Sequence, residues 1–345
     1  MSDCILFIDE GPGETRAGLV VDGAPERLLF ERAGQAFPRL GARYVARVAQ
    51  VDRGSGLAML DLGEGLTGAL RLKPDRQAPP EGAKLQVEVA IEPQGPKVAV
   101  VRALDEGQGA PRLLEAAPAL DLRLSQFAPD AQWLTGRAAR EAADEAQSIA
   151  VAIEHPLPGG GSIAVETTRA LTSVDVDLGA GGARDAKRAA RQANLAALAL
   201  AARILRLKAQ GGLVVFDLVG RGHDGQAIAY ASRAAFAPDQ PGVVMGPISR
   251  LGTLEFALPR RLRPLSDILC QGGQVSAATR AFNLLRAAER EAQADPGGRV
   301  RLRAAPGVAA AAQAYLPLLQ ARYGARFELA ADAAMAVDAM EVSCR

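Results

Sequence analysis

Apolar and polar residues alternate with a period of two through most of the first hundred positions, the pattern of half-buried strands. Residues 4–9 and 15–21 read as two strands joined by a turn at Gly11-Pro12-Gly13. Asp22-Gly23 turns the chain again before a third run at 27–31. From 41 to 103 the pattern stays β throughout. Segments 43–51, 58–62, 67–72, 85–91 and 98–102 are short strands punctuated by Gly, Pro and Asp. Five short strands in sequence suit a small Greek-key barrel such as an OB-fold. Such barrels often bind single-stranded nucleic acid, although many do not.

Past residue 113 the period lengthens. Residues 113–152 read as helical, with 138–150 the clearest helix, and the hinge Pro156-Leu157-Pro158-Gly159-Gly160-Gly161 follows. Strands at 162–167 and 171–176, the glycine-rich stretch 179–182, a helix over 185–210 and a strand at 213–218 form a β-β-α-β unit. A weaker helix at 226–236 precedes strands at 243–248 and 253–257. Beyond Pro264 come a strongly amphipathic helix over 274–294, a strand at 299–304, a helix over 308–324 and strands at 326–330 and 335–341. These read as a separate small α/β module.

Composition adds bounds. The chain has 345 residues, enough for two to four domains. Hydrophobic residues make up 49% but aromatic ones only 4%, so the cores are built from Ala, Leu and Val. The aromatic shortage argues against a surface that grips bases mainly by stacking. Net charge is +1, so overall charge selects no partner. Its distribution is more telling. Arg184, Lys187, Arg188, Arg191, Arg203, Arg206 and Lys208 face the single acid Asp185, and Arg260, Arg261 and Arg263 form a second cluster. This stripe is either a polyanion contact or a solvated helix face. Cys4, Cys270 and Cys344 lie far apart without a CxxC, which fits a reduced, cytoplasmic protein. The N-terminus has no signal-peptide pattern, and no apolar run is long enough to span a membrane.

Two apolar runs end in carboxylates: 170–177, with Asp175 and Asp177, and 212–217, with Asp217. Residues two apart on a strand share a face, and parallel neighbours lie about 5 Å apart, so Asp175 and Asp217 are placed to share a hard cation. The same acids also suit a humbler task, capping loops or helices. Spacing alone leaves both readings open. Gly11-Pro12-Gly13-Glu14 lacks the Lys and Ser/Thr of a P-loop, and the glycines at 159–161 precede a strand, so a hairpin is expected there. His155 and His223 have no Ser or Cys partner in view and are poor candidates for catalysis. Asn194, an amide on an apolar helical stripe, is expected to hydrogen-bond near the strand ends.

In their order, these residues resemble the RNase E/G family of endoribonucleases. The resemblance is carried by Glu14-Thr15-Arg16 with Val20-Val21-Asp22-Gly23, by Leu157-Pro158-Gly159-Gly160-Gly161-Ser162-Ile163, and by 168–177. It continues through Asn194-Leu195, 203–207, 211–217, 248–252, Leu254-Glu255 and 261–264. It implies an α/β multidomain protein: an RNase H-like part in two segments, 1–38 and 105–150, with an OB-fold RNA-binding barrel inserted at 39–104. A DNase I-like catalytic domain at 151–270 and a small C-terminal α/β domain at 271–345 follow. It implies magnesium-dependent hydrolysis of single-stranded RNA, with manganese as a substitute cation and a 5′-phosphate on the downstream product, in rRNA and RNA processing or mRNA decay. Asp175 and Asp217 match the metal-binding aspartates, and Asp177 stands where the family places an asparagine that positions the nucleophile. Lys97 and Arg250 match positions near the RNA backbone.

The departures are specific. The stretch after the barrel is too short for the family's 5′-end sensor, whose Arg-Thr pocket is missing. The CxxC of the zinc link is replaced by Cys270-Gln271-Gly272-Gly273, so zinc is not expected and any homo-oligomer forms without it. Met59 and Ala69 stand where the family tends to have stacking phenylalanines, and Arg169 where it commonly has Glu. The alternative to an active enzyme is a catalytically impaired RNA-binding protein of the same architecture.

Overall fold

The computed structural model describes residues 3–75, 77–179 and 186–345. Along the chain, β1 (Cys4–Gly11), β2 (Glu14–Val21) and β3 (Ala24–Arg32) come first. Five longer strands follow: β4 (Arg43–Asp52), β5 (Leu57–Gly63), β6 (Leu66–Arg71), β7 (Lys84–Ile91) and β8 (Ala99–Glu106). Then come β9 (Arg112–Glu115), α1 (Leu120–Ser125), β10 (Gln132–Leu134) and α2 (Gly136–Val151). The next stretch holds β11 (Glu154–Pro156), β12 (Ser162–Thr167), β13 (Thr172–Asp177), α3 (Ala186–Leu207) and β14 (Gly212–Asp217). It continues with α4 (Gly225–Ala235), β15 (Val244–Met245) and β16 (Thr253–Leu258). The last part holds α5 (Leu265–Leu269), the hairpin β17 (Cys270–Gln271) and β18 (Gln274–Val275), and α6 (Ala277–Ala294). β19 (Val300–Ala304), α7 (Pro306–Gln313), α8 (Leu316–Tyr323), β20 (Phe327–Ala331) and β21 (Met340–Cys344) complete it.

The chain divides into two compact units. One gathers Met1–Gln35, Arg123–Gln147 and Leu265–Arg345. Its first sheet has the order β10-β1-β2-β3, and its second the order β20-β19-β21. Phe282, Leu284 and Leu285 of α6 pack with Val300, Leu302, Leu319 and Phe327 in an apolar core. A buried ionic network lies beside that core. The Arg16 guanidinium donates to Asp9 at 2.7 Å, to Gln147 at 3.0 Å and to Asp144 at 2.7 Å. Arg32 donates to Glu14 at 2.5 Å, and Arg286 to Asp9 and to the Glu14 carboxylate at 3.1 Å. Buried charges persist only when paired in this way. The Glu14-Thr15-Arg16 string therefore has a structural task.

The other unit gathers Ala36–Leu122 and Ser148–Pro264. Five strands in the order β5-β6-β8-β7-β4 close into a barrel through a β4–β5 pairing, consistent with an OB-like fold. Val48, Leu60, Val87 and Val101 fill it. A six-stranded mixed sheet has the order β11-β12-β13-β14-β16-β15. Inward residues of its strands, among them Ile163, Val174, Phe216 and Phe256, share one core with Ala197, Leu198 and Leu205 of α3. Within this unit the β7–β8 connection is tied to the segment after β16. Glu92 N donates to Arg261 O at 2.9 Å, and Gln94 Nε2 to Leu262 O at 2.9 Å.

Three local expectations are corrected. Residues 113–152 are not uniformly helical: β9 pairs antiparallel with β4, and β10 pairs parallel with β1. These strands are four and three residues long, too short to display a period. The helix expected over 308–324 is two helices, because Pro317 falls in the first turn of α8 and lacks the N–H needed to continue α7. The last strand runs from 340 to 344, where pairing with β19 fixes it, not from 335 to 341. The glycine-rich 180–182, Arg184 and the expected helix start at Asp185 lie outside the described residues.

Candidate active site

β13 and β14 run parallel, joined by the crossover helix α3, and their register sets Asp175 opposite Asp217. The row continues on both sides, with Ala164 of β12 opposite Asp175 and Thr253 of β16 opposite Asp217. Val174, Val176 and Phe216 are buried against the core, so the intervening Asp175, Asp177 and Asp217 all face away from it and are exposed. Adjacent strands lie about 4.8 Å apart, which is short enough for two carboxylates to take one cation between them. Among the described residues neither Asp175 nor Asp217 has a hydrogen-bond or ion-pair partner that would compete for its charge. An oxygen-only pair without partners among the described residues fits a hard divalent cation.

Asp177 departs from the idea of three converging acids. Its Oδ1 accepts the Gly179 N–H at 3.0 Å, closing the turn that leaves β13. Among the described residues no group of three or more His, Cys, Asp or Glu is placed to hold a metal. The glycine hairpin before β12 supports this corner. Gly161 has φ of +81°, and a Cβ there would lie 2.2 Å from the Asp177 carbonyl oxygen, so only glycine fits.

Arg250 lies in the loop just before Thr253. Ser249 closes that loop: its N–H donates to Thr253 O at 2.8 Å, and the Ser249 and Thr253 hydroxyls are 2.8 Å apart. Arg250 is thereby held three residues from the partner of Asp217. Lys97 is exposed at the barrel connection, where it forms an isolated bridge with Gln94. Asn194 meets its expectation, its buried amide donating to Val219 O at 2.9 Å and accepting from Val219 N at 3.0 Å. It pins the exit of β14 two residues past Asp217.

Part of the basic stripe on and after α3 is engaged within the protein. Arg191 pairs with Asp224 at 2.9 Å, Arg206 with Asp239 at 2.6 Å, and Lys208 donates to Ala152 O at 2.5 Å. Lys187, Arg188 and Arg191 are exposed, so the first turns of the helix keep a cationic face toward solvent. His155 is buried with its Nε2 unpartnered, and desolvation, reinforced by Lys208, pushes its pKa down to about 4. It is a neutral structural group. In the barrel, Met59 and Ala69 are cross-strand partners on β5 and β6, so the two non-aromatic substitutions fall on one patch.

Sequence pattern missed one feature. His223 and Arg221, in the loop after β14, line a cavity with the Arg250 loop. Their Gly-Arg-Gly-His-Asp-Gly setting carries no period, and a catalytic pair was the wrong thing to seek.

Residues 139–261 match the Ribonuclease E/G family, a span that contains Asp175, Asp177, Asp217 and Arg250. Over this span the chain is similar to the Ribonuclease E/G family. Ribonuclease E of Haemophilus influenzae is 34% identical over 149 residues, which cover 39% of this chain and 16% of that protein. Ribonuclease E of Escherichia coli is 36% identical over 107 residues, covering 30% of this chain and 10% of that protein. Ribonuclease G of Escherichia coli is 25% identical over 166 residues, covering 45% of this chain and 34% of that protein. The chain thus spans only a fraction of the relatives it matches. Among the described residues no helix is long and apolar enough to cross a membrane.

Proposed function

We propose that the chain is a cytoplasmic endoribonuclease that hydrolyses single-stranded RNA with magnesium, in RNA processing or decay. The observation that carries this reading is the Asp175–Asp217 register pair, inside the matched span and without partners among the described residues. The two carboxylates would hold the cation, and most of its shell would remain for water and phosphate oxygens, as magnesium prefers. When bound, the cation supplies Lewis-acid polarisation of the phosphoryl oxygen and lowers the pKa of an attacking water. The protein contributes placement and charge. The scissile phosphate lies over the row from Asp175 to Thr253, and Arg250 offsets charge that develops on the phosphoryl oxygens. A new bond forms from water oxygen to phosphorus, the bond from phosphorus to O3′ breaks, and the 3′-oxygen takes a proton. Lys97, on the barrel connection, steers the strand as a point charge. Asp177 holds the β13 exit in place beside the water. The RNase H-like, DNase I-like and C-terminal divisions belong to this same reading.

The test is cleavage of a single-stranded RNA oligonucleotide by wild type and Asp217→Asn in magnesium. Wild type is expected to cut and Asp217→Asn to lose at least a hundredfold in rate, about 3 kcal/mol of barrier. Equal activity in both sinks the assignment. Binding without any wild-type cleavage establishes the impaired RNA-binding alternative.

A further inference from the structure

The loops at 220–223 and 249–252 enclose a cavity of about 990 Å³ at the carboxyl end of β14. It lies at the sheet edge reached directly from Asp217, because Gly252 precedes Thr253 and Gly220 follows β14 by three residues. The loops approach closely: a Cβ on Gly252, at φ of +92°, would sit 3.4 Å from His223 Nε2. The chemistry of the walls is one-sided. Ile228 and Leu254 are buried in the floor, with Met245 beside them. Arg221 and Arg250 stand exposed on the rim, and His223 forms the wall between. Among the described residues no Asp or Glu lines the cavity, and neither arginine has an ion-pair partner. Leu251, 90% exposed, projects beside Arg250. An apolar floor under an exclusively cationic rim selects a flat apolar body carrying negative charge.

We propose that this cavity is a nucleotide subsite. It holds the base of a nucleotide flanking the scissile bond between the aliphatic floor and Leu251, while Arg221 and Arg250 take the adjoining phosphate. This rests on the reading of the acid pair as the site of RNA cleavage and adds where the enzyme senses a base. Without donors or acceptors arrayed on the floor, the pocket discriminates by the presence and size of a base more than by its hydrogen-bonding edge.

The test measures binding of labelled single-stranded RNA oligonucleotides in EDTA, each with one abasic position, to wild type, Ala229→Leu, Ala229→Ser and Arg221→Gln. Ala229 lines the cavity half-buried, so Leu fills space that Ser leaves open. Wild type is expected to lose about tenfold in affinity at one abasic position. Ala229→Leu should bind intact RNA about tenfold more weakly and be indifferent to that position, while Ala229→Ser matches wild type. Arg221→Gln should weaken all sequences and reduce the salt dependence by about one counterion. Unchanged thermal unfolding shows that the variants are folded. Equal affinity of wild type and Ala229→Leu for every oligonucleotide overturns the subsite, and so does competition by adenosine 5′-monophosphate without any abasic effect. Magnesium-dependent cleavage lost in Asp217→Asn but untouched in Ala229→Leu removes the subsite and leaves the activity. An abasic effect erased by Ala229→Leu in a protein that never cleaves keeps the subsite and removes the activity.

Discussion

At the scale of single residues, environment decides between look-alike groups. Asp175, Asp177 and Asp217 share a chemistry and a sheet face, yet Asp177 is occupied with the Gly179 N–H. Asp177→Asn should keep that turn, because an amide oxygen also accepts, and Asp177→Ala should lose about 1 kcal/mol by urea unfolding. His155 shows the same principle through its proton. Its folded pKa is pushed down to about 4 from an ordinary 6.5, so the unfolded chain binds the proton first as pH falls. Stability is full above pH 6.5 and declines toward pH 4, by at most about 3 kcal/mol. His155→Phe should flatten that slope in thermal unfolding measured from pH 7 to 4. A slope unchanged by the substitution would place the titrating group elsewhere.

At the scale of elements, periodic segments were legible and aperiodic ones were not. The strands β12, β13 and β14 and the helix α3 between them announce themselves by alternation and by a long amphipathic run. Hence Asp175 and Asp217 could be placed side by side from sequence. β9, with its four residues Arg-Leu-Leu-Glu, has no period to read, and β4 decides its conformation by pairing with it. The cavity was illegible for a related reason. It is made by two irregular loops whose residues are far apart in sequence, and only the β14–β16 register brings them together. The barrel offers an element-scale test. Met59 is half-buried opposite Ala69, so Met59→Phe restores one ring to that patch. It should tighten single-stranded RNA binding by about 1 kcal/mol in a salt-controlled titration.

For the whole molecule, the two units hold themselves together differently. The unit containing the barrel relies on apolar cores, mainly aliphatic in the barrel and with Phe216, Phe236 and Phe256 under the mixed sheet. The other adds a buried ionic network in which Asp9 serves both Arg16 and Arg286. Burial lowers the pKa of Arg286, which marks the strain of keeping that charge dry. Asp9→Ala removes the anion shared by Arg16, Arg286 and Arg140 and should cost about 3–5 kcal/mol in denaturant unfolding. Charge patterning alone did not reveal this, because the network is completed by groups distant in the chain, with Arg16 meeting Asp144 and Arg286 meeting Asp9.

The spacing of Asp175 and Asp217 is set by a ladder of main-chain hydrogen bonds between parallel strands, not by the side chains packed beneath them. On the proposed reading, fold stability and cation affinity are therefore separable quantities. Trimming the apolar layer under the sheet should lower the melting point while the dissociation constant for added magnesium stays put, as long as the ladder survives. The distance between the two carboxylates is inherited from the peptide unit itself, so this centre can tolerate a drifting interior.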